Sequence, residues 1–221
     1  MGSHLLDVLS PSTQESGRVY GVVVGIVTNN KDPDNMARVK VRFPWLSDDE
    51  ESWWARIATV MAGKNRGSYF IPEVDDEVLV AFDHGDMRFP YILGSVWNGK
   101  DTSPENNSDG ENNIREIKSR SGHIIRLDDK DGKEKITIVD KTGGNQMVID
   151  SSDNSIQITC TQKMTLHAQD IEINADSSIK INAGTSLDVQ AGTSVDVQAG
   201  TTMDLNATAP VTIKGATVSI N

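Results

Sequence analysis

The residues of this chain that could do chemistry are few and lie far apart. His84 stands in Asp83-His84-Gly85-Asp86, where an imidazole between two carboxylates has the makings of a metal ligand or an acid–base pair. The glycine beside it, just ahead of an apolar run, makes a plain turn the better reading. Asp128-Asp129-Lys130-Asp131-Gly132 opens like a calcium loop. It lacks the later ligand spacing and the closing glutamate, which leaves a solvated hairpin turn. Arg38, Lys40 and Arg42 share one face of an alternating stretch and could line a nucleic-acid groove. In a chain of net charge -11 they read better as ion pairs or packing against partners, and no nucleic acid is expected as a ligand. Cys160 is the single cysteine, so no intrachain disulfide framework is available. No nucleophile–base motif, phosphate-cradling glycine loop or CxxC pair occurs. The expectation is a protein with no catalytic, cofactor-binding or metal site, and not an enzyme.

What the chain does repeat is structure. Ala183-Gly184-Thr185-Ser186-Leu187-Asp188-Val189-Gln190 recurs almost unchanged at 191–198 and more loosely at 199–206. Internal repeats outrank other signals, because each unit buries little alone and needs stacked neighbours. Apolar-x-apolar pairs extend the period well beyond these copies. They fall at Ile156/Ile158, Met164/Leu166, Ile171/Ile173, Ile179/Ile181, Leu187/Val189, Val195/Val197 and Met203/Leu205, then at Val211/Ile213 and Val218/Ile220. Successive pairs are eight residues apart, with two steps of seven. Each octad therefore reads as one short strand followed by a corner. Gly184, Gly192 and Gly200, and Asp176 in the equivalent earlier place, are expected to turn that corner with φ > 0. Two aliphatic side chains per octad gain less on burial than the backbone entropy of ordering eight residues costs. One chain is too thin to stand alone. The predicted solution is an intertwined three-chain β-prism with the pairs from Ile156 to Leu205 as its shared core. Cys160 takes the inward small-residue position that Ala175, Ala183 and Ala191 fill elsewhere, His167 falls on the outward parity, and Asp188, Asp196 and Asp204 form a solvating acidic ladder.

Ahead of the octads lies a different kind of sequence. All eleven aromatic residues lie at or before Trp97. Short β-branched runs at 20–27, 37–43, 53–58, 67–72, 77–82 and 91–97, separated by Gly/Pro-rich turns, predict a small β-barrel such as an OB-fold. Residues 99–120 read as a linker by composition, and strands resume at 121. The expected organisation is a flexible lead-in over 1–17, the barrel over 18–98, the linker, and the needle over 121–221. About 12 strands per chain would make a needle roughly 55 Å long at about 4.7 Å per strand. Met1-Gly2-Ser3-His4 reads as an expression-vector remnant. No apolar run reaches the length of a membrane span, and no secretory signal is visible. Three copies at -11 each would carry -33, which suits a highly soluble particle component.

The barrel segment resembles a known family. Ala37-Arg38-Val39-Lys40-Val41-Arg42-Phe43-Pro44-Trp45 is similar to the first hairpin of the oligomer-binding barrel in phage baseplate spikes and VgrG-type spikes. Trp53-Trp54-Ala55-Arg56, the run from Arg66 to Val80, Phe82-Asp83-His84-Gly85-Asp86 and the run from Arg88 to Lys100 resemble the rest of it, in the family's order. The octads resemble the same family's β-helical needle. The resemblance implies an all-β spike, an OB-fold barrel followed by an intertwined trimeric β-helix with octapeptide repeats, which pierces a target cell envelope at the tip of a contractile tail. It implies a homotrimer, a tail hub protein at the barrel end, and a PAAR-type cap on the last strands, where Val211, Ile213, Val218 and Ile220 stand. Such particles belong to a phage or phage-tail-like baseplate assembled in the bacterial cytoplasm. Some relatives carry a lysozyme domain between barrel and needle, for which 99–120 leaves no room. Others carry a hub domain before the barrel, so this is either a stand-alone spike or a trimmed piece of a larger one. The alternatives are an OB-fold module for glycan or nucleic acid on a fibrous stalk and, last, a cell-wall hydrolase.

Overall fold

A computed structural model describes residues 17–47 and 49–219. The chain divides into two compact units, residues 1–164 and 165–221, and its class is all-β as expected. Most of the predicted lead-in, and Ile220 at the predicted tip, lie outside the described residues.

The first unit begins with the barrel. Its strands are β1 (Val22–Asn29), β2 (Lys40–Arg42), β3 (Arg56–Ile57), β6 (Glu77–Phe82) and β7 (Pro90–Ser95), hydrogen-bonded in the order β2-β1-β6-β7-β3. All these pairings are antiparallel except β3 with β7, which is parallel. Bridges from Val39 to Ala55 and from Arg42 to Glu51 bring the approach to β3 back onto β2 and close the sheet on itself. Closure removes the exposed edges that an open five-stranded sheet would present. Alternation along the strands then decides what is inside. Val78, Val80 and Phe82 of β6 point inward while the residues between them do not. They pack with Val27, Val39, Val41, Phe43, Ala55 and Ile92 into one buried cluster. Gly25 is buried in the wall because a Cβ there would sit 3.2 Å from Val80 Cγ2 and 3.3 Å from Val41 Cβ.

Two loops depart from the sequence reading or sharpen it. The run 67–72 is not a strand of the barrel. Instead β4 (Ala62–Gly63) and β5 (Arg66–Gly67) form a separate small hairpin. Gly67 sits at φ +148, with its virtual Cβ 2.5 Å from the Met61 carbonyl oxygen, a conformation and a closeness that only glycine allows. The aromatic character of Tyr69 and Phe70 suggested a strand, but the glycine breaks the extended run. In the loop 29–37, Asp32 is buried and accepts from the backbone N–H groups of Asp34 (3.0 Å), Met36 (3.0 Å) and Arg38 (3.3 Å). The Arg38 guanidinium completes the cluster with bonds of 2.7 and 2.8 Å and holds the Asp32 carboxyl far below the usual carboxylate range.

After residue 98 the first unit continues as a second sheet, an antiparallel meander of β8 (Ile114–Lys118), β9 (Ile124–Asp128), β10 (Lys135–Val139), β11 (Gln146–Asp150) and β12 (Ser155–Thr159) in chain order. Strand structure therefore starts at Ile114, inside the stretch whose composition reads as linker. Asn, Asp and Ser dominate 103–113, but Ile114 and Ile117 have partners on β9 that local composition does not reveal.

The second unit has no assigned strand among residues 165–219. Its path bends once in every octad, with bends opening at residues 169, 176, 184, 192, 200, 208 and 216. The spacing follows the sequence period, but the predicted corner geometry does not hold. None of Asp176, Gly184, Gly192 and Gly200 has a positive φ. A virtual Cβ at each of these three glycines has nothing within 4 Å. The corner is an open bend in ordinary backbone conformation, and within one chain nothing crowds the glycine.

Candidate assembly surfaces

The side chains that could act as a site are apolar, and their placement follows from strand register. In the meander, Ile117 lies opposite Ile125, Ile125 opposite Ile138, Ile138 opposite Met147, and Met147 opposite Ile158. A second row runs through Leu127, Ile136, Ile149 and Ile156. Each row crosses its strands on one face at the ordinary interstrand spacing. In one chain this face is uncovered: Ile117 is 53% exposed and Ile158 58%. The opposite face is mixed and less exposed, with Glu116, Arg126, Thr137, Val148 and Gln157 in one row and Ile124 and Val139 in the next. There Arg126 bridges Glu116, at 2.5 Å with the Glu116 side chain almost fully buried, and Glu105. A largely exposed apolar face of this extent is the pattern of a sheet with a missing partner.

The residues predicted as the shared three-chain core are uncovered in a single chain. Ile156 and Ile158 belong to the bare face of the meander and are exposed on it. Met164, which ends the first unit, is exposed too, as are Ile171, Ile179, Leu187, Val195 and Met203, the first members of their pairs. The second members Leu166, Ile173, Ile181, Val189, Val197 and Leu205 are not buried either, and each is more open than the first member of its own pair, as with Met203 at 48% and Leu205 at 69%. The physical reason is geometric. An octad is a single extended layer with a bend, and no second layer of the same chain lies over either of its faces, so neither parity has anything to pack on. The repetition means that each octad presents the same arrangement. Val211, Ile213 and Val218, expected beneath a cap, are exposed in the same way.

Sequence reasoning left out Ile125/Leu127, Ile136/Ile138 and Met147/Ile149. Their signal was present, since they have the same apolar-x-apolar form. Hairpin turns stretch their spacing to eleven residues and hide them from an eight-residue period.

The residues weighed for chemistry are accounted for by local structure. His84 is an exposed turn residue at φ 48 between Asp83 and Gly85, 3.7 Å from the Asp83 carboxylate. The 128–133 segment is a hairpin turn closed by the Lys133 N–H on the Lys130 carbonyl at 2.8 Å. Arg38 pairs with Asp32 and Asp34, Lys40 with Glu51 at 3.0 Å, and both cations lie over the Trp54 ring. Two of the three basic residues of that strand face are thus already engaged. Cys160 is a free, exposed thiol directly after β12, and His167, Asp188, Asp196 and Asp204 are exposed. Among the described residues no three His, Cys, Asp or Glu side chains converge to hold a metal ion, and no helix is long and apolar enough to cross a membrane.

Comparison with known proteins fits this geometry. Residues 23–97 match the family described as the type VI secretion system/phage-baseplate injector OB domain. The type VI secretion system spike protein VgrG1a of Pseudomonas aeruginosa is 35% identical over 133 residues, 55% of this chain and 21% of that protein. The spike protein VgrG3 of Vibrio cholerae is 39% identical over 95 residues, 41% of this chain and 9% of that protein. An actin cross-linking toxin VgrG1 of the same species is 33% identical over 98 residues, 42% of this chain and 9% of that protein. The chain thus spans about a fifth or less of the length of these relatives.

Proposed function

We infer that this chain, whose barrel belongs to the injector OB family and whose relatives are VgrG-type spikes, is the barrel-and-needle part of a puncturing spike. In this reading three copies wind their octads into one β-prism, which transmits axial thrust from a contractile tail or phage-tail-like machine into a target cell envelope. The role is mechanical rather than enzymatic. The observation that carries it is the second unit. Its residues follow a regular path with one bend per octad, yet every apolar pair is exposed and no strand finds a ladder partner among the described residues of its own chain. Backbone N–H and C=O groups and aliphatic side chains arranged this regularly need neighbours, and identical copies offer them at the matching period. The bare face of the meander supports the same reading, since three such sheets can enclose one apolar axis.

The remaining partners follow from the resemblance. A hub protein would hold the barrel end. A PAAR-type cap would cover the last strands around Val211, Ile213, Val218 and Ile220, whose open edges would otherwise invite aggregation. The spike would ride in a baseplate-associated particle assembled in the bacterial cytoplasm. The engaged basic residues of the barrel weigh against the alternative of a nucleic-acid groove. Native mass of the full chain tests the central claim. A three-chain species of 72 kDa, three times 24.0 kDa, that persists in detergent is expected, whereas a 24.0 kDa monomer would overturn it.

A further inference from the structure

The barrel carries two unpartnered surfaces whose chemistry is complementary. The first is the small hairpin spanning 59–70. Val60 is 94% exposed on it, Tyr69 77% and Phe70 70%. Beneath it runs a groove of about 500 Å3, floored by Ile57, Met61, Phe70 and Ile71 and flanked by Arg56 and Arg66. Arg56 stacks on the Tyr91 ring at 4.5 Å and bonds its hydroxyl, and Arg66 folds back over Gly63. Neither arginine, nor Lys64 at the hairpin tip, has a carboxylate partner among the described residues. In a chain of net charge -11, two such cations on the hairpin and a third beside its groove are out of keeping with the rest of the surface.

The second surface is the knob of Trp45 and Leu46. Each is 50% exposed, and the knob is stiffened from beneath. The Trp45 ring lies 5.9 Å from that of buried Phe43, and the N–H groups of Leu46 (2.9 Å) and Ser47 (3.1 Å) both donate to the Phe43 carbonyl. Beside this apolar knob stand Asp49 and Glu50, which have no cationic partner among the described residues. The knob precedes and the groove follows the run 51–57, which bends at Trp53 and is bridged to Arg42 at Glu51 and to Val39 at Ala55. Among the described residues no backbone hydrogen bond joins the two surfaces within one copy.

We propose that the Trp45–Leu46 knob of one copy seats in the groove under the 59–70 hairpin of the next, with Asp49 and Glu50 taken by Arg56, Lys64 and Arg66. Surfaces of this kind, different on the two sides of the contact, generate a ring when the rotation closes. Three copies held together by a prism would supply that rotation, so the proposal rests on the trimer reading above. A stiff tryptophan anchor in an apolar groove with flanking charge pairs is the composition of an interface hot spot. The contact would also offset part of the repulsion between three acidic barrels. A hub protein or another partner in the groove is the competing occupant.

Cross-linking in the full chain separates these cases. With Cys160→Ser as background, Glu50→Cys and Lys64→Cys together should let a short bis-maleimide join chains into covalent two- and three-chain species. Either single variant should give none, because the contact is not symmetric. Arg66→Glu should cut the linked yield about tenfold, the ratio that corresponds to 1.4 kcal/mol, and adding Asp49→Arg should restore it. Positions 49, 50, 64 and 66 are all exposed, so the barrel core is untouched. A chain that is trimeric by native mass but remains unlinked overturns this contact and leaves the spike reading intact. A monomeric chain overturns both.

Discussion

The barrel and the octad unit solve the same problem in opposite ways. In the barrel, nine side chains reach full or nearly full burial within a single chain, and closure of the sheet supplies every strand with two neighbours. In the octad unit not one apolar pair is buried and no ladder forms among the described residues. The difference lies in where the partners are encoded. The barrel draws its contacts from distant parts of one sequence, so aromatic and branched residues of different sizes interlock. The octads offer only small and aliphatic residues at a fixed period, and on the reading proposed above their partners are copies of themselves. On that reading a region unfinished in one chain is completed by assembly.

That contrast can be broken or sharpened by experiment. The largest effect is expected from deleting residues 165–221. Detergent-resistant trimers should disappear, as read by native mass and by unheated gels. Resistant trimers that survive would move the trimer core to the meander face and its rows through Ile138 and Ile136. Next comes the barrel core. Ile92, fully buried, should cost about 2–5 kcal/mol when changed to Ala, from lost transfer free energy and the cavity left behind. The barrel's unfolding transition should drop in calorimetry while the three-chain mass stays unchanged.

A sharper test uses a residue that the two states treat differently. Ile138 is 47% exposed in one chain, where Ile138→Asp should cost about 0.5 kcal/mol or less, as at other open sites. On a shared apolar axis the same change leaves a carboxyl without a partner and should cost about 1–3 kcal/mol at least. A thermal transition that moves only in the trimeric full chain, and not at dilutions where it is monomeric, is the expected result.

The smallest effect concerns pH. The Arg88 side chain, with its backbone N–H, holds the Asp86 carboxyl at about 2, below its ordinary 3.8. A carboxyl whose folded value is depressed contributes stability that is complete above the ordinary value and fades as pH falls through the folded one. Asp86→Asn should therefore flatten part of the barrel's loss of stability between about pH 4 and pH 2, with little change at pH 7. An unaltered slope would mean that the Arg88 bond is not kept in solution.

Much of this was legible in the residues themselves. The eight-residue period placed the bends, and the apolar run at 77–82 placed strand β6, while only the structure showed which of its faces is inside. Trp97, the last aromatic, lies two residues beyond the last barrel strand. The pairs on β9 to β11 were legible in form but not in spacing, because turns of varying length shift a period without changing the face. The hairpin at 59–70 was not legible. Tyr69-Phe70-Ile71 has strand composition, and only the close approach of Gly67 to the Met61 carbonyl shows why the run is broken.

The sequence by itself determined the alternation of faces, the period, and which side chains are fit only for an apolar setting. These are local properties, carried by residue type and by the two-residue repeat of an extended chain. The tertiary structure decided which strands are neighbours. It set β3 parallel to β7, brought Ile114 and Ile117 onto β9, and gathered four hydrogen-bonding groups of the 29–38 loop around Asp32. It also showed that the octad corners need no left-handed residue. Pairing and loop closure depend on groups far apart in the chain, whose encounter is set by hydrogen-bond satisfaction and packing rather than by any local pattern.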